Sequence, residues 1–247
     1  MWATRPRRSR GIMTEAEKSP LFNTLFWRYI FWSLKRHFHR ILHNVPTYDA
    51  SVPRLYIANH NTWWDGFFIY ALNQRHLRDD IHLMMGEGQF QKFRFFRRLG
   101  VFSVRPDRIS DVKAAFEYSL RVLKQSPRSS LWIFPSGEMV PYGAPVQYKD
   151  GFARIAARAQ PLSVIPVAMR IEYVDHQYPD VFILGGEPIV CIDQKAEKIF
   201  ENGTRSLREL IQRLDHRISQ RDFSDFKPLL TGRSSVSDRY AKIKGVD

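Results

Sequence analysis

The chain has 247 residues, 44% of them hydrophobic and 26% charged, with 38 Lys and Arg against 25 Asp and Glu for a net charge of +13. That length and balance suit one globular domain with appendages and exclude a chain too polar to build a core. The single Cys191 excludes an internal disulfide, and the charge excess favours an anionic partner, whether nucleic acid, an anionic lipid surface or a phosphorylated substrate.

Residues 1–17 are basic, polar and aperiodic, and are expected to be disordered. From Pro20 to His43 the sequence reads as a helix rich in Phe, Trp, Tyr, Ile and Leu, with Lys and Arg gathered in its second half. This composition predicts an amphipathic interfacial helix over 18–45, lying in the plane of an anionic membrane surface. It also fits a helix docked on the core by its aromatic face, and the two readings are compatible. Up to Asn44 the cations outnumber the carboxylates by seven. Arg28 interrupts an apolar stretch already shorter than the ~20 residues a spanning helix needs, and no small-residue cleavage site follows it as in a signal peptide. The expected location is the cytoplasmic face of a membrane, held peripherally.

After a turn-rich stretch at 44–53, the run Arg54–Ala58 reads as a strand and Thr62 starts a helix to about Asn73. Strands are expected at 81–85 and 100–104, separated by the aromatic-basic stretch Phe90–Arg98, and a helix runs from Ser110 to near Pro127. The chain returns as a strand at 131–134, turns at Pro135-Ser-Gly137, and continues with a helix at 151–159 and a strand at 163–169. A hairpin-like pair at 181–184 and 188–192 and a last helix at 206–220 complete a main domain over 46–222; residues 223–247 read as a loosely attached tail. Alternating strands and helices predict an α/β fold with a largely parallel central sheet flanked by helices.

The segment Ala58-Asn-His-Asn-Thr-Trp-Trp-Asp65 sets His60 at a strand end and Asp65 in the first turn of a helix, where α/β sheets carry their sites. Folding back across that turn lets the carboxylate accept from one imidazole nitrogen while the other faces a substrate. Such an arrangement fixes the tautomer and stabilises the imidazolium formed when a proton arrives. Thr62 to Asp65 equally fits a capping box, with Thr62 as N-cap.

His37, His39 and His43 read as a solvated helix face, and no metal is expected. The aromatics and cations of Phe90–Arg98 suit either a single-strand nucleic-acid platform or the rim of a lipid-binding groove. Trp63 and Trp64 read as core residues.

Taken in order, Asn59-His-Asn-Thr-Trp-Trp-Asp65, Gly100-Val-Phe-Ser-Val-Arg105, Phe134-Pro-Ser-Gly137 and Val164-Ile-Pro-Val167 resemble the four motif blocks of the 1-acylglycerol-3-phosphate acyltransferase family, over about 55–168. The resemblance implies direct acyl transfer from acyl-CoA or acyl-carrier protein to a lipid hydroxyl, with neither metal nor cofactor. It makes His60 the general base, Asp65 its orienter, and Arg105 a contact to the acceptor's phosphate, a task that suits a guanidinium fork. A backbone amide near Gly137 is placed to approach a developing oxyanion.

The third block departs from the family's Phe-Pro-Glu-Gly-Thr-Arg-Ser: Ser136 stands for the acid and Met139 for the arginine, with Glu138 two positions along from the missing acid. Downstream, Lys149 in Tyr148-Lys-Asp-Gly151 offers a compensating charge. The expected catalytic pair is therefore His60 and Asp65, and the expected substrate-binding set Asn59, Arg105, Ser136, Gly137, Glu138 and Lys149. Lysophosphatidic acid is the first expected acceptor, a glycolipid or pigment glycoside the second. A non-catalytic membrane adaptor and a basic nucleic-acid-binding protein are the rivals from other classes, with no nucleic-acid partner expected for the enzyme.

Overall fold

The computed structural model describes residues 13–49 and 51–234. Nine strands form one sheet: β1 (Arg40–Asn44), β2 (Arg54–Ala58), β3 (Asp80–Gly86), β4 (Val101–Val104), β5 (Ser129–Ile133), β6 (Leu162–Glu172), β7 (Asp180–Gly185), β8 (Ile189–Cys191) and β9 (Lys227–Thr231). Their order is β4-β3-β5-β2-β6-β7-β1-β9, with β8 also paired to β6. From β4 through β6 every pairing is parallel.

Among the described residues six α-helices accompany the sheet: α1 (Pro20–His37), α2 (Asp65–Leu72), α3 (Glu87–Lys92), α4 (Ile109–Gln125), α5 (Gly151–Ala159) and α6 (Ala196–Ser219). Every residue of β2 is buried, as expected of a strand covered on both faces. The period of two divides its side chains: Tyr56 and Ala58 join a core with α1 and α2, whereas Leu55 and Ile57 join a second core with α4 and α5. The connections after the neighbouring strands β2 and β5 therefore leave to opposite faces, through α2 and α5. Such a divergence opens a crevice at the carboxyl ends of the two strands.

The N-terminal and C-terminal expectations are corrected. The helix expected over 18–45 ends at His37; it begins where Ser19 accepts from the Phe22 amide and Pro20 occupies the first turn. The next residues are strand β1, paired parallel with β7 and antiparallel with β9. His37, His39 and His43 thus lie on different elements and form no helix face. Residues 1–12 of the expected disordered N-terminus lie outside the described residues. Residues 13–19 are docked: Met13 is buried, Thr14 exchanges hydrogen bonds with Ser103, and the Glu17 and Ser19 amides donate to Arg97 and Arg98. Within 223–247, β9 is likewise an integral strand rather than a loose tail.

The expected hairpin of β7 with β8 is also absent. Both pair antiparallel with β6, β7 along its second half and β8 along its first, with Gly186 bridging them through its amide to Pro166.

Candidate active site

His60 lies two residues past the end of β2, and its imidazole Nδ1 donates to Asp65 Oδ2 at 2.8 Å. The Asp65 side chain is 2% exposed, and its carboxylate also accepts from the Asn61 amide (2.8 Å), the Thr62 amide (2.9 Å) and Thr62 Oγ1 (2.6 Å). Four donors satisfy this buried group, so its position and orientation are fixed. The bond back to the Thr62 amide forms, but the helix opens only at Asp65 with Trp64 at its N-cap position, so the expected capping box with Thr62 as N-cap is corrected and the hydrogen bond to His60 stands. The imidazole also stacks on Phe134, with ring centroids 4.1 Å apart and planes 13° apart. With Nδ1 engaged, Nε2 is the nitrogen left to work on a substrate.

The surrounding backbone is braced. Asn59 is pinned to β6, its amide nitrogen donating to the Met169 carbonyl and its oxygen accepting from the Met169 amide, both at 2.8 Å. Asn61 donates to the Val140 carbonyl at 2.6 Å, while the Val140 amide donates to the His60 carbonyl at 2.8 Å. The loop after β5 is thereby tied across the end of β2.

Beside His60 lies a cleft of about 260 Å³, walled by that loop (Ser136, Val140, Tyr142), by Arg170 at the end of β6, and by Arg208 and Asp215 of α6. The Arg170 guanidinium lies 4.3 Å from the Tyr142 ring centroid and pairs with Glu172 (3.0 Å) and Asp215 (3.1 Å). Burial pushes the Tyr142 phenol up to about 12, and its oxygen accepts from the Ile171 amide at 3.0 Å. Sequence reasoning did not single out Val140, Tyr142, Arg170, Arg208 or Asp215. One signal was available: Arg208, Ile211, Gln212 and Asp215 recur at the spacing of a single helix face.

The substrate-binding candidates from the sequence separate. Ser136 lines the cleft, is buried, and donates to the Glu138 carbonyl at 2.7 Å. Glu138 is exposed and reaches neither His60 nor Asp65 by a hydrogen bond. Gly137 has φ +73°, a conformation costly for other residues, and a Cβ there would meet Lys149 Nζ at 2.7 Å, so the ammonium lies over the turn. The Gly137 amide itself donates to the Phe134 carbonyl at 2.9 Å.

Arg105 is the largest displacement from expectation. It follows β4, three strands along the sheet from β2, which is about 14 Å at the usual strand spacing, and it lies outside the cleft. Its Nε donates to Asp111, whose side chain is fully buried. Replacing Arg105 with Ala is expected to lower stability by about 1–3 kcal/mol, because a buried carboxylate loses its main partner. A melting temperature unchanged from wild type contradicts this role.

Among the described residues no group of metal-ligating side chains is assembled and no helix is long and apolar enough to cross a membrane. Residues 38–170 match the protein-family model described as Acyltransferase. No curated protein matches the chain significantly.

Proposed function

Because the chain belongs to the acyltransferase family, we propose that it transfers a fatty acyl group from acyl-CoA or acyl-carrier protein to a lipid hydroxyl, with His60 as general base. The observation that carries this reading is the His60–Asp65 bond of 2.8 Å at the crevice between β2 and β5. His60 Nε2 accepts the acceptor's hydroxyl proton as that oxygen attacks the thioester carbonyl. The tetrahedral intermediate collapses, the carbon–sulfur bond breaks, and the imidazolium returns the proton to the departing thiolate, giving an ester and a free thiol. Neither metal nor cofactor enters these steps.

Lysophosphatidic acid is the proposed acceptor. A neutral glycolipid or pigment glycoside is the second reading, favoured by Met139, 46% exposed where the resembling family has an arginine, and by the engagement of Arg105 with Asp111. Competition between lysophosphatidic acid and a glycolipid, with the purified protein on vesicles, decides: predominant glycolipid acylation overturns the first reading.

We further propose that α1 holds the enzyme on an anionic membrane. Leu21, Leu25, Tyr29 and Trp32 follow one helix face and are each more than half exposed, while Ile30 and Leu34 pack inward. Lys35 and Arg36 lie over Phe31 and Trp32, an aromatic-basic mixture suited to headgroup level. Rings in successive contact, Trp63, Phe93, Phe95 and Phe26, connect this helix with the residues beside Asp65. Leu25→Asp with Trp32→Asp is expected to lower partitioning onto phosphatidylglycerol-containing vesicles by about tenfold or more, since each lost side-chain burial is worth ~1.5–3 kcal/mol. Equal flotation of variant and wild type at matched ionic strength shows that α1 only supports the fold.

A further inference from the structure

The cleft beside His60 extends beyond the residues matched to the family, because α6 forms its far wall. The two arginines that line it differ in what they touch. Arg170 is held between the carboxylates of Glu172 and Asp215. Arg208, about two turns before Asp215 on the same helix face, has no carboxylate within ion-pair distance among the described residues. Its guanidinium instead lies 5.0 Å from the ring centroid of Tyr148, another residue of the cleft wall.

A guanidinium resting on an aromatic face keeps its edge donors free, and those donors match phosphate oxygens in pairs. The stacked ring also limits the rotamers available, so less side-chain freedom is lost when an anion binds. Lys149 Nζ, over the neighbouring Gly137 turn, adds positive charge to the same loop. We propose that Arg208 binds the phosphate-bearing end of a substrate whose reacting group lies at His60. The inference rests on the acyl-transfer reading and deepens it. Phosphate recognition is assigned here to α6, and not to Arg105, which is committed to Asp111. The phosphate belongs either to the acceptor headgroup or to the thioester donor.

Equilibrium binding to the full-length protein on neutral phosphatidylcholine vesicles separates these sources, with glycerol 3-phosphate and coenzyme A as probes. Arg208→Gln is expected to weaken one of them on the order of tenfold, as loss of a charge-assisted contact at a partly solvated site does. Arg208→Lys, which keeps the charge and loses the fork, is expected to fall between. Weakened glycerol 3-phosphate binding identifies the acceptor as the source, and weakened coenzyme A binding identifies the donor. Equal binding of both probes by wild type and Arg208→Gln, or no measurable binding of either probe by wild type, overturns the proposal. Binding is read without turnover, so a wild-type protein that binds a probe through Arg208 yet moves no acyl group refutes the reaction and leaves the anion site standing.

Discussion

His60→Ala is expected to lower kcat by ~10²–10⁴, the usual contribution of a positioned general base, while the protein stays folded. The side chain is 22% exposed and its main packing partner is one face of Phe134, so truncation leaves a small surface gap and not a core cavity. Chemistry suffers far more than stability. Without the imidazole, the acceptor hydroxyl has no base beside it, and its oxygen is a weak nucleophile at neutral pH. Asp65→Asn tests the second half of the pair. An NH2 donor replaces one oxygen of a carboxylate whose Oδ2 accepts from His60 Nδ1 and two backbone amides and whose Oδ1 accepts from Thr62 Oγ1, so both kcat and melting temperature should fall. Turnover is followed by thiol release in the presence of a lysolipid, with circular dichroism and thermal melts as controls. A folded His60→Ala protein with wild-type kcat rejects the mechanism.

Asp79→Asn carries the second large effect, on stability alone. Arg54, the first residue of β2, meets Asp79 at 2.8 Å with both side chains almost completely buried, and Tyr56 donates to the same carboxylate at 3.1 Å. Arg54 Nε finds no hydrogen-bond partner among the described residues. Burial raises the Asp79 carboxyl above the usual carboxylate range in spite of the neighbouring guanidinium. The pair is thus expensive to bury, and removing one member strands the other. The expected loss is ~3–5 kcal/mol, and in a domain of this size each kcal/mol moves the melting temperature by roughly 2–4 °C. Arg54→Met combined with Asp79→Leu should recover most of it, because apolar replacements leave no unpaired charge. A melting temperature for Asp79→Asn within about 2 °C of wild type contradicts this account.

Much of the central sheet was legible because its signals are local. Arg54–Ala58 and the five-residue spacing from His60 to Asp65 identify strand and hydrogen-bonded pair from adjacent residues, while the helix expected from Thr62 opens at Asp65. Strand β1 was not legible. Phe38, Ile41 and Leu42 continue the helical spacing of α1, and only pairing with Asp180–Leu184 and Lys227–Thr231, far along the chain, makes them a strand. The same limit hid β9 inside a polar tail and split the expected hairpin into two partners of β6.

The site divides similarly. His60 and Asp65 are joined by one turn, whereas the cleft is assembled from a loop, a strand end and α6, whose association depends on tertiary packing. Arg105 follows a strand at the sheet's edge, and strand order, invisible in one sequence, decides that it faces Asp111 instead of the cleft. Ile30 and Leu34 dock α1 on the core, as the core-packing reading of its apolar residues expects, and leave Leu21 and Leu25 outward.

The most direct test is to incubate the full-length protein on anionic vesicles with an acyl-CoA labelled in its acyl chain and a lysophosphatidic acid acceptor, measuring free thiol and lipid ester in the same reaction. Direct transfer promoted by His60 predicts one ester for each thiol released, no label bound to protein at any time, and both products formed ~10²–10⁴-fold more slowly with His60→Ala. Wild-type protein that forms no ester from acyl-CoA or acyl-carrier protein with any lipid hydroxyl offered, or that forms it equally well without the imidazole, contradicts the account.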